Sequence, residues 1–195
     1  MCNLYRLHKG PDAIRALFAA QQMPLTFPEG VPNLQPADVR ITDMAPIVRL
    51  SADVSRAELV MRRWSWPSPG GKPVYNFRSD NREFPSGRCL VLADGFYEFT
   101  TPSDPKQKRK DRWLFSLPDE AIFGIAGLLR DAPGHGEAFT LLTTAPGADV
   151  QPYHNRQVGL LRSSDWRPWL DCSTAASELI RPLPPGMLKV RAAMA

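Results

Sequence analysis

Short apolar runs separated by turn residues dominate the middle of the sequence. They predict strands at residues 45–50, 58–61, 88–93, 95–100, 112–117, 121–129 and 138–144. The runs are rich in β-branched and aromatic residues, as half-buried strands usually are. Their succession is typical of a largely antiparallel sheet or barrel.

Helical patterns are confined to the two ends of the chain. Gly10-Pro11-Asp12 predicts a helix start, because proline and an acidic residue both suit the first turn. Ile14 and Phe18 then lie on one apolar face of that helix. Two more helices are predicted, one from Ser163 onward and one over residues 174–181.

The remaining segments contain many of the 20 prolines and 13 glycines of the chain. Residues 23–38 and 64–71 are predicted to be loops, and a short tail is predicted after Pro185. We therefore expect one α+β domain spanning residues 1–195. Its core would be mostly antiparallel and barrel-like, with helices at its flanks.

Composition narrows the class of protein. A chain of 195 residues with 43% hydrophobic and 23% charged residues can bury a real core. It has no apolar run of the ~18 residues that a membrane span requires, and its N-terminus lacks the pattern of a secretory signal. We expect a cytoplasmic protein, nucleoid-associated if bacterial, that acts as a monomer and does not enter a membrane.

The cysteines and the missing motifs exclude several kinds of site. Cys2, Cys89 and Cys172 lie far apart, and their odd number argues against a disulfide framework or a zinc site. Cys89, inside an apolar run, is predicted to be an inert core residue. Phosphate-loop, dinucleotide and zinc-hydrolase motifs are absent, so neither a cofactor nor a metal is expected. A net charge of +4 favours an anionic partner.

Cys2 is chemically distinctive because it directly follows the initiator Met1. Once Met1 is removed, the α-amine and the thiol of Cys2 stand on adjacent carbons, with reference pKa values of ~8 and ~8.5. The amine can form an imine with an aldehyde, and the sulfur can then close a thiazolidine ring. Alternatively, the amine can act as base for its own thiol, as in N-terminal-nucleophile hydrolases. The alternative is that Cys2 has no chemical role and is a cysteine at the second position by chance.

Three further segments carry polar side chains, and each can be interpreted as functional or as purely structural. Asn76 and Arg78 follow a Gly/Pro loop, where they could orient a reacting group and hold a phosphate, or be a turn asparagine and a solvated arginine. Glu98 stands between aromatic residues in a predicted strand, either as a buried general acid and base or as an exposed carboxylate. His154 is followed by Asn155-Arg156, although a lone histidine is usually structural.

A basic run and a pair of tryptophans complete the candidates. Residues 106–110, with Arg112, form a cationic run between two predicted strands. Such runs are usually solvated hairpin tips, but this one could attract phosphates in a salt-dependent way. Trp64 and Trp66 could stack on bases, although core packing is the commoner role of tryptophan.

Taken in order, these segments resemble the SRAP family of abasic-site processing proteins. The resemblance covers most of the chain, and it runs through Met1-Cys2, Ala45-Pro46, Trp64, Asn76-Phe77-Arg78-Ser79, Gly87-Arg88-Cys89, Ala93-Asp94-Gly95-Phe96-Tyr97-Glu98, Thr143 and His154-Asn155-Arg156. It implies an SRAP-like domain with a mixed β-barrel-like core, and a basic groove that leads single-stranded DNA to the N-terminal cysteine.

The resemblance also implies a reaction, the covalent capture of abasic sites in single-stranded DNA. Cys2 would form the Schiff base and the thiazolidine, Glu98 would shuttle protons, His154 would assist ring opening or reversal, and Asn76 would position the Cys2 end. The residues carried over as DNA contacts are Arg78, Arg88, Thr143, Arg156, Trp64 and Pro46.

Two departures from the family pattern bear on DNA binding. Asn3 and Leu4 stand where glycine and arginine are usual, and Gln157-Val158 follows Arg156 in place of the usual Met-Pro. The missing arginine removes one expected phosphate contact. Two other functions remain open: an N-terminal-nucleophile cysteine hydrolase that processes itself, and a nucleic-acid-binding module in which Cys2 is incidental.

Overall fold

Two main β-sheets form the body of the computed structural model, which describes residues 2–104 and 106–193. In chain order the strands are β1 (Leu4–Leu7), β2 (Leu25–Thr26), β3 (Ala37–Arg40), β4 (Met44–Leu50), β5 (Ala57–Trp64), β6 (Trp66–Pro67), β7 (Pro73–Val74), β8 (Asn76–Arg78), β9 (Arg88–Ala93), β10 (Gly95–Thr100), β11 (Asp111–Ser116), β12 (Phe123–Ala132), β13 (Gly136–Thr144), β14 (Gln157–Val158), β15 (Leu160–Leu161) and β16 (Lys189–Ala193).

The helices are short and lie towards the ends of the chain, as predicted. They are α1 (Pro11–Ala20), a 3₁₀ turn (Ser163–Asp165) that leads into α2 (Trp166–Leu170), and α3 (Ala176–Leu179). Pro11 occupies the first turn of α1, and Ile14 and Phe18 are its buried residues. Within the described residues, none of the helices has the length and apolar character that crossing a membrane demands.

The larger sheet closes into a barrel. Strands β13, β12, β9, β4 and β5 are paired in that order and antiparallel. A short parallel pairing of β13 with β5, which sets Phe139 opposite Trp64, closes the ring. The predicted fold class is therefore confirmed: an α+β domain with a mostly antiparallel barrel and flanking helices.

The smaller sheet has the strand order β16-β11-β10-β1-β3, and the pairings between these neighbours are antiparallel. Its inner face joins the barrel interior in one apolar core, to which Tyr5, Phe96 and Phe115 contribute. Helices α1 and α2 cover the outside of the barrel through a second core around Phe18, Trp166 and Trp169. Barrel strands buried on both faces explain the continuous apolar runs of the sequence.

Three predicted loop or tail segments are strands in the structure. The predicted loop 23–38 contains β2 and the beginning of β3, and the predicted tail contains β16. The predicted loop 64–71 contains β6. Asn76, which follows that loop, opens β8, which pairs in parallel with β13. These strands are short and mostly polar, and backbone pairing fixes them more than side-chain pattern does.

Candidate active site

Cys2 lies just before β1 with its side chain in the core. It is 1% exposed, and its Sγ donates to the carbonyl of Leu4 at 3.2 Å. Burial raises the pKa of the Cys2 thiol to about 12, and the negative charge of Glu98 adds to the rise. The thiol is therefore protonated at neutral pH in this state. Met1 lies outside the described residues, so its removal stays a prediction.

Glu98 is a buried carboxyl near Cys2. It points from β10 to the same side of the sheet as Phe96, while Tyr97 and Phe99 join an apolar cluster on the other side. Glu98 is 1% exposed, and burial raises its pKa to about 7. At neutral pH this carboxyl is poised to give up or to take a proton.

Asn76 joins the N-terminal segment to the barrel. Its Nδ2 donates to the carbonyl oxygen of Cys2 at 2.7 Å. The pairing of Asn76 with Leu141 fixes the backbone of β8 beside β13. The Oδ1 atom of Asn76 is buried and accepts no hydrogen bond from the part of the chain that the structure describes.

His154 follows a helical turn in which its backbone N–H donates to the carbonyl of Val150 at 3.0 Å. Nδ1 of the ring lies 3.0 Å from the backbone nitrogen of Arg156 and 3.1 Å from its carbonyl oxygen, so the backbone of Arg156 engages Nδ1 in either neutral tautomer. Burial lowers the pKa of His154, and the charge of Lys110 lowers it further. His154 is thus held neutral at physiological pH.

Arg156 is hydrogen-bonded to Thr143 and lies beside His154. Nη2 of Arg156 donates to the Thr143 carbonyl at 2.7 Å, and both terminal nitrogens of Arg156 donate to Asp80, at 3.0 and 2.6 Å. Arg78, in register with Thr143 on the neighbouring strand, is exposed. Arg78 lies on β8 with Asn76, the pairing of β8 with β13 places Thr143 beside it, and the side chain of Arg156 is bonded to Thr143.

Arg88 lies inside the fold, and its expected role as a DNA contact stays a prediction. It is 7% exposed, and its guanidinium lies 4.5 Å from the centre of the Trp169 ring. It donates to the carbonyls of Phe84 and Thr174, at 2.7 and 2.8 Å. The donors of Arg88 are thus engaged within the fold, where they join β9 to the segment after α2.

Trp64 and Pro46 are likewise internal, and their expected DNA contacts stay predictions. Trp64 is 0% exposed, and its Nε1 donates to the Tyr75 carbonyl at 2.9 Å. Pro46 is a buried residue of β4, opposite Met61. Both side chains are buried and pack within the fold in this state.

Sequence reasoning missed several residues that surround the site. Trp113 is in register with Glu98, and its ring lies 4.9 Å from that of Tyr153, the neighbour of His154. Asp80, the partner of Arg156, was not among the candidate residues. Its sequence position, two residues after Arg78, was the one available signal. Within the described ranges, no group of ligand side chains suited to a metal ion is present.

These features define the class of protein: a closed barrel is joined to a second β-sheet, and Cys2 lies near the buried carboxyl of Glu98. The chain belongs to the SOS response associated peptidase (SRAP) family, whose family model matches residues 1–193.

Two bacterial relatives have similar sequences. The abasic site processing protein YoaM of Bacillus subtilis is 26% identical over 201 residues, which cover 94% of this chain and 85% of YoaM. The abasic site processing protein YoqW of Bacillus subtilis is 26% identical over 189 residues, which cover 88% of this chain and 80% of YoqW.

Two crystal structures have the same fold. A Bordetella bronchiseptica protein matches with a TM-score of 0.72 at 22% identity and 100% coverage of both chains. A Bacteroides thetaiotaomicron protein matches with a TM-score of 0.75 at 17% identity, covering 99% of this chain and 92% of its own. At these identities the likeness is one of fold.

Proposed function

We propose that this protein processes abasic sites by capturing them covalently in single-stranded DNA, as part of a DNA damage response. Membership of the SRAP family and the names of the two Bacillus relatives support the substrate. The observation that carries the chemistry is the buried carboxyl of Glu98, with a pKa of about 7, whose charge acts on the Cys2 thiol.

The reaction begins once Met1 is removed. The α-amine of Cys2 attacks the aldehyde carbon of the ring-opened sugar and expels water, which leaves an imine. The sulfur of Cys2 then adds to the imine carbon, and the thiol proton ends on the ring nitrogen of the thiazolidine. One water is lost in total, and the sequence needs neither an oxidant nor a metal.

Glu98 suits both proton transfers of this sequence. In its protonated form it can give a proton to the departing hydroxyl, and the resulting carboxylate can take the thiol proton and stabilise the iminium. The charge of Glu98 raises the pKa of the Cys2 thiol. Protonation of Glu98 removes that repulsion, so the carboxyl also controls how readily the sulfur ionises.

His154 and Asn76 serve the same centre in different ways. His154, whose pKa burial lowers, is a neutral base that can assist sugar ring opening or reversal of the crosslink. Asn76 is a positioning residue, since its amide holds the Cys2 carbonyl at 2.7 Å. Its buried Oδ1 is an acceptor for an N–H that arrives with substrate or with the processed terminus.

Phosphates that flank the lesion would meet Arg78 and Arg156, with a hydrogen bond from Thr143. Arg78 is exposed and has no ion pair within the described residues. Arg156 is bonded to Asp80, which is 40% exposed at its side chain, so a phosphate must share or replace that carboxylate. Binding of a phosphate by Arg156 would therefore weaken or break its ion pair with Asp80.

The direct test is to mix the purified protein with a single-stranded oligonucleotide that carries one abasic site. Wild type should give a band that survives denaturation. Its intact mass should equal protein without Met1 plus DNA minus one water. Cys2→Ala should abolish the band, while Cys172→Ala, the same change at a distant cysteine, should leave it within twofold.

The alternative functions predict different products. An N-terminal-nucleophile hydrolase would turn over a small amide without DNA, and a plain binding module would bind DNA in a salt-dependent way without a covalent product. Absence of a denaturation-resistant band with wild-type protein freed of Met1 would refute the capture reaction. We further propose one domain over residues 1–195, acting as a cytoplasmic or nucleoid-located monomer.

A further inference from the structure

The outer face of the five-stranded sheet carries cationic side chains that the reaction above does not use. Arg40 on β3 pairs with Leu4, and Arg191 on β16 pairs with Leu114. Arg6 and Arg112 lie two positions from these leucines, on the same side of the sheet. The four arginines therefore share the face opposite to the one that holds Glu98.

An apolar centre lies between these arginines. Leu4, Tyr97 and Leu114 form a small cluster with Phe99. The guanidinium of Arg112 lies 4.7 Å from the centre of the Tyr97 ring. Long arginine stems that cover apolar surface keep their charged heads towards solvent. Tyr97 is 4% exposed and Leu114 is 2% exposed, so the apolar centre is covered and the cations form the surface of this face.

Two grooves make this face continuous with the basic run. The first, of about 570 Å³, is lined by Arg6, Arg40, Tyr97, Arg112 and Arg191 among others. The second, of about 550 Å³, is lined by residues 107–113 and includes Lys108, Arg109 and Lys110. Both grooves include Arg112, Ala192 and Ala193, so they adjoin each other.

Acidic residues neutralise only part of this surface. Asp94 pairs with Arg6, and Asp38 pairs with Arg112 at 3.7 Å. Within residues 2–104 and 106–193, the structure shows no ion pair for the cations that remain. These are Arg40, Lys108, Arg109, Lys110 and Arg191, which are all exposed, and we refer to them as the outer basic face.

The outer basic face adjoins the candidate active site at the hairpin that joins β10 and β11. Thr100 and Asp111 form the last pair of that hairpin, and Glu98 pairs with Trp113 only two residues away. The charge of Lys110 also reaches His154. A chain that leaves the site past this hairpin therefore meets a cationic groove at once.

We propose that the outer basic face binds the phosphodiester backbone of the DNA beyond the abasic site, as a second contact region apart from the reactive cluster. A row of exposed cations suits a nucleic-acid backbone, which carries one charge for each phosphate. The inference rests on the proposed function only in that DNA is the partner, because it needs no covalent step.

The test compares two triple variants that remove the same charge. Arg40→Gln with Arg109→Gln and Arg191→Gln alters the outer basic face. Arg56→Gln with Arg167→Gln and Arg181→Gln removes three exposed arginines outside the five-stranded sheet. The probes are a labelled single strand of about 16 nucleotides and the matching duplex, both without an abasic site. Anisotropy titrations over a range of salt give the affinities and their salt dependence.

We expect the outer-face variant to bind at least tenfold more weakly at low salt, with a slope of log affinity against log salt that is less negative by about 2. The control variant should stay within twofold of wild type. A loss confined to the single strand identifies that strand as the occupant, and a loss confined to the duplex identifies a flanking duplex. Equal binding by wild type and outer-face variant on both probes, or equal losses in the two variants, overturns the inference.

A crosslinking arm separates this inference from the proposed function. An abasic oligonucleotide of about 5 nucleotides reaches the reactive cluster alone, so the outer-face variant should capture it within twofold of the wild-type rate. If wild type captures nothing, the proposed function fails. If capture is normal and the salt dependence is unchanged in the variant, only the outer basic face fails.

Discussion

Arg88 and Glu98 are both buried charged residues on consecutive strands, yet their surroundings are opposite. The guanidinium of Arg88 has carbonyl acceptors, an aromatic ring and the carboxylate of Glu83 around it. Glu98 is buried so deeply that its pKa rises to about 7, and it lies near a thiol. Arg88 has every feature of a structural charge, whereas Glu98 has those of a reactive one.

The comparison teaches that burial alone does not identify a catalytic group. A buried charge with complete hydrogen bonding keeps its ordinary charge state and stabilises the fold, provided that its partners stay in place. A buried carboxyl without enough compensation shifts its pKa, and proton transfer near neutral pH becomes possible. Replacing each residue should therefore change a different property of the protein.

The largest expected effect is on chemistry, at Glu98. Glu98→Gln keeps the size of the side chain and loses the proton transfer, so the rate of crosslinking should fall by about 10²- to 10⁴-fold. Single-turnover crosslinking between pH 5 and 9 measures this rate, and the dependence around pH 7 should vanish in the variant. The exposed Glu178→Gln is the matched control. A rate within twofold of wild type would remove Glu98 from the mechanism.

The next largest effect is on stability, at Arg88. Arg88→Ala leaves the carbonyls of Phe84 and Thr174 without a donor and opens a gap beside Trp169. We expect a loss of about 2–4 kcal/mol in the free energy of unfolding. Urea denaturation measures it. Below the transition, the affinity for DNA should not change; weaker DNA binding with unaltered stability would support Arg88 as a DNA contact.

The main elements of the fold were predictable because each has a local signal. Apolar runs located the barrel strands, and the predicted strand 95–100 matches β10, which carries Glu98. The strands β3 and β16 were not predictable, since a polar edge strand is fixed by its neighbour across the sheet. The short parallel pairing that closes the barrel joins distant residues and has no local signal.

For the site, the sequence supplied candidates but not their surroundings. Arg88 and Arg156 were both expected to hold phosphates, and a one-dimensional reading cannot distinguish them. Only the fold shows that Arg88 faces Trp169 and backbone carbonyls, while Arg156 meets Asp80 and Thr143 beside His154. The role of an arginine depends on which acceptors already occupy its donors.

The smallest expected effect is the pH dependence of stability, and it separates the two buried charges once more. The pKa of Glu98 rises from an ordinary 4.5 to about 7 on folding. The native state therefore binds more protons than the unfolded state between these values, so wild type should lose stability as pH rises from about 4.5 through 7. The loss between pH 5 and pH 8 should be about 2 kcal/mol.

Glu98→Gln cannot ionise, so the difference between its unfolding free energy and that of wild type isolates this one carboxyl. Urea denaturation at pH 5, 6, 7 and 8 should show that the free energy of unfolding of Glu98→Gln increases relative to that of wild type as the pH rises. Arg88→Ala keeps Glu98, so its free energy of unfolding should lie below that of wild type by a constant amount. If the free energy of unfolding of wild type and of Glu98→Gln depended on pH in the same way, folding would not raise the pKa of Glu98. The contrast between Glu98 and Arg88 would then disappear.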